Sequence, residues 1–397
     1  MTFALNFTNF GPYHLARLRA LAGRLAQAGG RLIAYETAAA ERTYPWRTER
    51  RDEPFTWVTL FPGRVLEELT PMACAGAMRR ALRRDRPDAL GIVGYVRPEA
   101  LAALAWARRA GRPALLMSES QQLDHRRVWW KEAIKRRRVS RFSAALVGGP
   151  RHRDYLVALG LPAGRIALGY NAVDNRRYAA GAEAARHARQ GRRGLPAARY
   201  FLAVSRFVPE KNLVRLIRAF ARYRTDTPIE SAWDLVLCGG GPGEAEVEAA
   251  VQTSGYAEAI HRPGFLQEDE LARWYAFAGA FVHPSRMEPW GLVVNEAAAC
   301  GLPLLVSDRA GCAETLVPDP PGTTGFRFDP SDEDELTAAL VRMAGLADDA
   351  RQAMGRRAAE VVARWGPDRF AEGTMEALGR ASADSPRAPA ASGRRSS

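Results

Sequence analysis

The sequence predicts two successive α/β domains, each built on a parallel sheet, and three observations support this. At 397 residues the chain exceeds the size at which a single core stops growing. Short apolar runs alternate with helical patterns in both halves, as βαβ units do. The alternation stops once, in GAEAARHARQGRRGLPAA over 181–198, which is rich in Gly, Ala and Arg and has no hydrophobic period.

The first half opens on FALNF, followed by Leu15, Leu18, Leu21 and Leu25 at helical spacing. RLIAYE, WVTLF and DALGIV read as strands, Ala100 to Ala110 as a helix, and ALLMS and AALVGG as further strands. The second half repeats the scheme with YFLAVS, a helix from Leu213 to Tyr223, WDLVLCGGG and a helix from Glu244 to Val251. AIHRPGF, a helix from Glu268 to Ala278, AFVHPS, a helix from Leu292 to Cys300 and PLLVSD complete it. The expected boundaries are a first domain over 1–185, a linker over 186–198 and a second domain over 199–366. Residues 381–397, ASADSPRAPAASGRRSS, read as a disordered tail. Two Rossmann-like domains in succession place a cleft between them, with ligands expected at the C-terminal ends of the strands.

With 47% hydrophobic, 9% aromatic and 25% charged residues, the composition is that of a globular protein rather than a disordered or fibrous one. The net charge of +13 permits an acidic partner without choosing among nucleic acid, an anionic membrane and phosphorylated small molecules. Arginine supplies nearly all of it, because only Lys131, Lys135 and Lys211 are lysines, a usage expected of a GC-rich bacterial genome. Cys74, Cys238, Cys300 and Cys312 show no paired spacing and read as reduced packing residues. There is no apolar run long enough to span a bilayer, and the N-terminus opens on MTFALNFTNF without a basic region, so a cytoplasmic protein is expected.

The most informative stretch is FVHPSRMEPWGLVVNEAAACGLPLLVSD, Phe281 to Asp308, in which Glu288 and Glu296 stand eight positions apart. Pro289 suits a first helical turn, Gly291 permits a close approach to the backbone, and a helix N-terminus favours anions. In a helix that spacing is roughly 12 Å, too long for the roughly 5 Å carboxylate pair of a retaining glycosidase. It suits a sugar nucleotide, with one glutamate on the hexose, the other on the ribose and the diphosphate between them. The blander reading, an exposed Glu296 and a Glu288 that merely favours a helix start, fits an isolated pair better.

A second constellation is AVSRFVPEKN, Ala203 to Asn212, where Arg206 and Lys211 leave a strand end together. A planar guanidinium and a mobile ammonium there could grip a diphosphate and neutralise charge as a glycosyl-phosphate bond breaks. Taken alone, the two would read as an exposed loop with a weak Glu210 and Lys211 pair.

Together these stretches carry a resemblance. AVSRFVPEKNLVRLIRAF, LVLCGGGPGEAEV, RPGFLQEDELARWYAFAGAFVHPS and EPWGLVVNEAAACGLPLLVSDRAGCAETL stand in the order and spacing of the family-four retaining glycosyltransferases of GT-B fold. The match is dense over residues 200–345, and LVGGPRHRDYLVALGLPAGRIALGYNAVDNRRY resembles that family's interdomain segment. The resemblance implies two facing Rossmann-like domains with an interdomain cleft, the last helix, over 367–380, crossing back to the first. It implies that Arg206 and Lys211 hold the donor diphosphate and act in catalysis with Glu288, and that Trp290, Gly291 and Leu292 meet sugar and phosphate through their backbone. Glu296 would bind the ribose, and Gly264, Phe265 and Leu266 would lie beside the base. The family retains anomeric configuration, its commonly proposed mechanism has the acceptor attack the face that the nucleotide leaves, and no metal or other cofactor is implied.

The N-terminal half departs from the family pattern. The first loop reads NFGPYHLARL where the family is often glycine-rich, and Gly11 fits it. Where the family has a histidine, the chain reads MSESQQLDH, so Glu119, Ser120 and His125 are candidates for the acceptor side, together with His14.

RRVWWKEAIKRRRVSRF, Arg126 to Phe142, holds eight cations against one acid with paired tryptophans, which suits either peripheral docking on an anionic membrane or a solvated face whose tryptophans pack inward. GGGPGE over 239–244 lacks the third glycine of a dinucleotide fingerprint, and Asp332 to Asp334 reads as an acidic helix start rather than a metal motif. His283, His261 and His152 lack ligand spacing and read as ordinary strand-end or helix residues.

The expected activity is transfer of a sugar from a nucleotide diphosphate donor to a carbohydrate or lipid-linked acceptor, a glycolipid or surface polysaccharide. An epimerase of the same fold would consume the donor without an acceptor. A nucleic-acid binder would explain the charge, but no reader motif or aromatic-interleaved basic surface supports it, and no nucleic-acid partner is expected.

Overall fold

The computed structural model describes residues 1–42 and 52–383. In the first domain, β1 (Thr2–Phe7), β2 (Arg31–Ala40), β3 (Thr56–Val65), β4 (Ala89–Val93), β5 (Ala114–Ser118), β6 (Ala144–Val147) and β7 (Ile166–Leu168) form one sheet. Its order is β3-β2-β1-β4-β5-β6-β7 and every neighbouring pair is parallel. Helices α1 (Pro12–Gln27), α2 (Pro71–Asp85), α3 (Pro98–Arg109), α4 (Trp129–Val139) and α5 (Pro150–Ala158) fill the crossovers.

The chain then runs through α6 (Asn175–His187) into a second sheet, β8 (Tyr200–Val204), β9 (Asp234–Cys238), β10 (Ile260–Gly264), β11 (Ala280–His283), β12 (Leu304–Ser307) and β13 (Gly325–Phe328). Its order, β10-β9-β8-β11-β12-β13, repeats the plan of the first, again all parallel. The helices here are α7 (Leu213–Thr225), α8 (Glu244–Thr253), α9 (Glu268–Phe277), α10 (Leu292–Ala299), α11 (Ala313–Leu316), α12 (Glu333–Ala344) and α13 (Asp348–Val362), and α14 (Pro367–Ala383) follows.

The strands are parallel because they are covered on both faces: every residue of ALLMS in β5, AFVH in β11 and LLVS in β12 is buried. The helices carry the matching stripe. In α7, Leu213, Leu216, Ile217 and Phe220 recur at helical spacing and are buried against Phe201, Leu235 and Leu237 of the second sheet. Each sheet reverses its strand order once, between β1 and β4 and between β8 and β11. A crevice opens at such a point because successive connections leave for opposite faces.

One segment packs differently from the expected division, and the helix before the tail runs further than expected. Residues 175–185, expected in the first domain, lie in α6, whose buried Tyr178 and Ala182 join the core of Tyr200, Trp274 and Tyr275 in the second. Its apolar side is made of alanines and one tyrosine, which is why no hydrophobic period stood out. Helix α14 returns to the first domain, where Phe370, Ala371, Ala377 and Leu378 share a core with Leu18, Leu21 and Leu146. The stretch expected as a disordered tail is helical to Ala383, and 384–397 lie outside the described residues.

Candidate active site at the domain interface

A cavity of about 490 Å³ opens between the two crevices and is lined from both domains. From the second domain come Arg206 and Lys211 after β8, Gly239 and Gly240 after β9, Phe265 and Leu266 after β10, and Glu288, Trp290 to Val293 and Glu296 after β11. Strand ends deliver all of them, because side chains beyond the last residue of a parallel strand project into the crevice.

Glu288 is buried, and Lys211 Nζ donates to its Oε2. His283, the last residue of β11, meets the same oxygen through Nε2 at 3.0 Å. Burial alone would raise this carboxyl, but the charge of Lys211 and the His283 hydrogen bond more than offset it and bring the pKa down to about 2. Glu288 is therefore an anion, Nε2 of His283 carries the hydrogen between them, and burial with the nearby Lys211 keeps that imidazole neutral. His283, read from sequence as an ordinary strand-end residue, is part of the site. No ligand spacing could reveal it, because its partner is a carboxylate rather than a metal.

Glu296, on α10, is buried and takes the opposite protonation tendency. Burial raises its pKa to about 7 although tyrosine hydroxyls donate to it. Tyr275 OH donates to Oε2 at 2.8 Å, and Tyr13 OH, from α1 of the first domain, donates to Oε1. The exposed-face reading of Glu296 does not hold. Between the two glutamates the chain is not one helix: Gly291 has φ +102° and caps α10, which begins at Leu292. A Cβ at 291 would lie 3.3 Å from both Glu288 Cγ and His283 Nε2, so glycine serves both the left-handed turn and the closeness of that pair.

The first domain supports this loop from behind. Gln121 Nε2 donates to the carbonyls of Glu288 at 2.9 Å and Arg309 at 3.0 Å. His152 accepts from Gly149 N–H on Nδ1 at 3.1 Å, which leaves Nε2–H to donate to Pro289 O at 2.7 Å. Trp290 is buried against Gly148 and Gly149, where a Cβ would strike its ring, and its Nε1 donates to Asn295 at 2.8 Å. His152 and Gln121 thus tie one domain's backbone to the other, a role that only long-range contacts reveal.

On the first-domain wall, Gly11 precedes Pro12 at the start of α1, and its N–H donates to Nδ1 of His14 at 3.1 Å. Burial and then Arg17 lower His14 to about 3, so it is neutral. Both line the cavity, as does Glu119, whose pKa burial raises and Arg17 lowers in part. Ser120 and His125 do not line it. The Ser120 N–H turns back onto the Ser118 hydroxyl at 3.2 Å, and a tight turn over Gln122–Asp124 carries His125 out to solvent. Gly264 also stays off the wall, its carbonyl accepting the Gly239 N–H at 2.8 Å.

Gly239, from the GGGPGE stretch, has φ +136°, and a Cβ there would lie 1.8 Å from Ser205 O. Its glycines let β9 pass close to the Arg206 loop. Asp332 caps α12 by accepting from the N–H groups of Asp334 at 2.8 Å and Glu335 at 3.1 Å. Among the described residues no group of three or more His, Cys, Asp or Glu is placed to hold a metal. No helix among them is long and apolar enough to cross a membrane.

The arrangement offers two cations and an ionised carboxylate in one cavity with a second buried carboxyl, that of Glu296 on α10. That is complementary to a ligand with an anionic centre flanked by hydroxyl-bearing rings. The family described as glycosyl transferases group 1 matches residues 191–361. In sequence the chain is 32% identical over 175 residues to the GDP-mannose-dependent alpha-(1-6)-phosphatidylinositol monomannoside mannosyltransferase of Mycolicibacterium smegmatis, covering 42% of this chain and 44% of that protein. It is 31% identical over 232 residues to D-inositol 3-phosphate glycosyltransferase 2 of Catenulispora acidiphila, covering 57% and 53%. The chain spans about half the length of the curated relatives it matches. In structure it is similar to sucrose-phosphate synthase from Thermosynechococcus elongatus, with TM-score 0.74, 21% identity and coverage of 97% and 100%. It is also similar to Anabaena HepE in complex with UDP, with TM-score 0.70, 17% identity and coverage of 95% and 99%.

Proposed function

We propose, from the match of residues 191–361 to the glycosyl transferases group 1 family and from the GT-B fold, that the protein is a retaining glycosyltransferase that moves a hexosyl group from a nucleoside diphosphate sugar to a hydroxyl acceptor. The observation that carries this reading is the grouping of Arg206, Lys211 and Glu288 at the β8 and β11 strand ends, opposite Glu296 in one cavity.

In this reading Arg206 and Lys211 take the diphosphate, and the N-terminus of α10 adds its backbone N–H groups. Glu296 receives ribose hydroxyls, Phe265 and Leu266 flank the base, and Glu288 faces the hexose. The acceptor hydroxyl attacks the anomeric carbon from the face that the diphosphate leaves. The C1–O bond to phosphate breaks, a C1–O bond to the acceptor forms, and the acceptor proton passes to the departing phosphate oxygen. Arg206 and Lys211 stabilise the charge that develops there, in a role that a cation cofactor would otherwise fill. His14, Glu119 and Arg17 form the wall that meets the acceptor.

The acceptor we propose is a lipid-linked or polysaccharide glycan reached at an anionic membrane surface. One face of α4 is pinned to the domain through Tyr155 of α5, whose OH donates to Glu132 at 2.8 Å and accepts from Lys135 Nζ at 3.0 Å. On the helix Trp129 is 82% exposed and Trp130 49%, so the tryptophans do not pack inward. Lys131 and Arg136 to Arg138 lie on the same helix, and exposed Val96 and Leu123 lie in neighbouring loops. Exposed indoles ringed by cations suit the headgroup region of an anionic bilayer.

Thermal unfolding with UDP, GDP and ADP and their sugar conjugates tests the donor site. A ligand at about 100 times its dissociation constant adds roughly 2.7 kcal/mol of stability, a visible shift. Stabilisation by one nucleotide, followed by transfer of its sugar with retained configuration in the product, is the expected result. No shift with any of them would sink the reading, and loss of the donor without a glycosylated product would point to the epimerase.

A further inference from the structure

We propose that His283 is the positioning residue for the Glu288 carboxylate: its Nε2–H holds Oε2 so that Oε1 is presented to the transferred sugar when Lys211 turns to the diphosphate. The inference rests on the proposed glycosyl transfer and goes beyond it by assigning a role to a residue outside the phosphate-gripping pair.

Both partners of Glu288 converge on one oxygen, Lys211 Nζ and His283 Nε2 each meeting Oε2. Among the described residues no hydrogen bond reaches Oε1, and Glu288 lines the cavity. The two partners differ in what they can do next. Lys211 sits in a short turn after β8, is itself part of the cavity wall, and bears a mobile ammonium that a diphosphate would attract. His283 closes a buried strand, is 1% exposed, and its ring stacks on Phe281 at 6.4 Å with an interplanar angle of 12°. It does not line the cavity and cannot leave the carboxylate without disturbing β11.

Once the ammonium is shared with phosphate, a carboxylate held by Lys211 alone would be free to rotate. The imidazole removes that freedom, and Gly291 leaves room for it to do so, since a Cβ there would lie 3.3 Å from Nε2. The role fits a neutral donor better than a second cation, because Nε2–H orients the anion without cancelling the charge that Glu288 offers to the reacting ring.

The test compares the wild type with His283→Ala and His283→Gln, since the glutamine amide can place an N–H near the position of Nε2. With UDP-glucose and GDP-mannose as donor probes, His283→Ala is expected to lower kcat by about tenfold to a hundredfold, the effect of losing a hydrogen bond to a charged group. Dissociation constants for UDP and GDP should stay within about twofold, and His283→Gln should recover most of kcat. A kcat within twofold of wild type in His283→Ala, or an equal loss in both variants, would overturn the assignment. A substrate-free measurement keeps this failure distinct from that of the proposed activity. In spectra of 15N-histidine-labelled protein, the hydrogen-bonded Nε2–H resonance of His283 should shift in Glu288→Gln. If the wild type transfers no sugar, the proposed activity falls, and an unmoved resonance would independently overturn the His283 contact.

Discussion

Tyr13, in the first turn of α1 in one domain, donates its hydroxyl to Oε1 of Glu296, on α10 of the other, across the cleft. Tyr275 holds the second carboxylate oxygen at 2.8 Å, so both oxygens of the residue assigned to the ribose are occupied. A ribose must share or displace the Tyr13 contact, which couples nucleotide entry to the relation between the domains. Tyr13→Phe should therefore tighten UDP or GDP binding by about threefold to tenfold, roughly 1 kcal/mol, because no bond is surrendered on entry. Calorimetric titration checks this, and weaker binding in the variant would make Tyr13 part of the nucleotide site rather than its competitor.

Glu296 also sets a pH dependence. Burial raises its folded pKa to about 7, above the ordinary carboxylate value, so the folded state holds a proton that the unfolded chain releases. Stability from this group is present below the unfolded pKa and is lost as pH rises through about 7. Glu296→Gln removes the cost of burying the charge, so the variant should exceed wild type in stability above pH 7 by up to about 3 kcal/mol and converge with it below pH 5. Urea unfolding at both ends of that range measures it, and the same variant should bind nucleotide more weakly.

Lys211 donates to Glu288 and, in the proposed reaction, also serves the diphosphate. Lys211→Ala should lower kcat by about a hundredfold or more, the size of effect expected when a preorganised charge partner of a leaving group is lost. With its largest opposing charge gone, the Glu288 carboxyl should move back toward the ordinary range. Steady-state turnover with the donor identified by thermal shift decides it, and normal turnover would remove Lys211 from the reaction.

The α4 surface makes a separate prediction. Replacing Trp129 and Trp130 by serine should reduce co-sedimentation with phosphatidylglycerol vesicles by about tenfold, leave the weak binding to phosphatidylcholine vesicles unchanged, and spare nucleotide binding. Wild-type binding should weaken with salt, because the cations act over a Debye length of about 10 Å at 0.1 M. Equal recovery of variant and wild type with anionic vesicles would show that the indoles do not enter the bilayer.

Much of the molecule was legible because its signals are local. Strands such as ALLMS and LLVS announce themselves as buried runs, and α7 and α10 start within a residue of where periodicity and the EPWG loop place them. Less legible were α2, whose PMACAGAMRRALRRD reads as an alanine and arginine mixture, and α6, whose alanines show no contrast between faces. On such helices the buried stripe is set by which neighbour covers it, and the neighbour is distant in the chain.

The site divides in the same way. Arg206, Lys211, Glu288, Gly291 and Glu296 lie in two short segments that follow strands, so the sequence by itself determined the βα frame and the strand ends that carry them. Only the tertiary structure decided that His283 shares the Glu288 oxygen, that Tyr13 reaches Glu296, that Gln121 and His152 hold the loop from behind, and that Ser120 and His125 turn away. The physical reason is range. Strand and helix formation depend on residues a few positions apart, whereas a hydrogen bond from residue 13 to residue 296 exists only where the two domains are brought face to face.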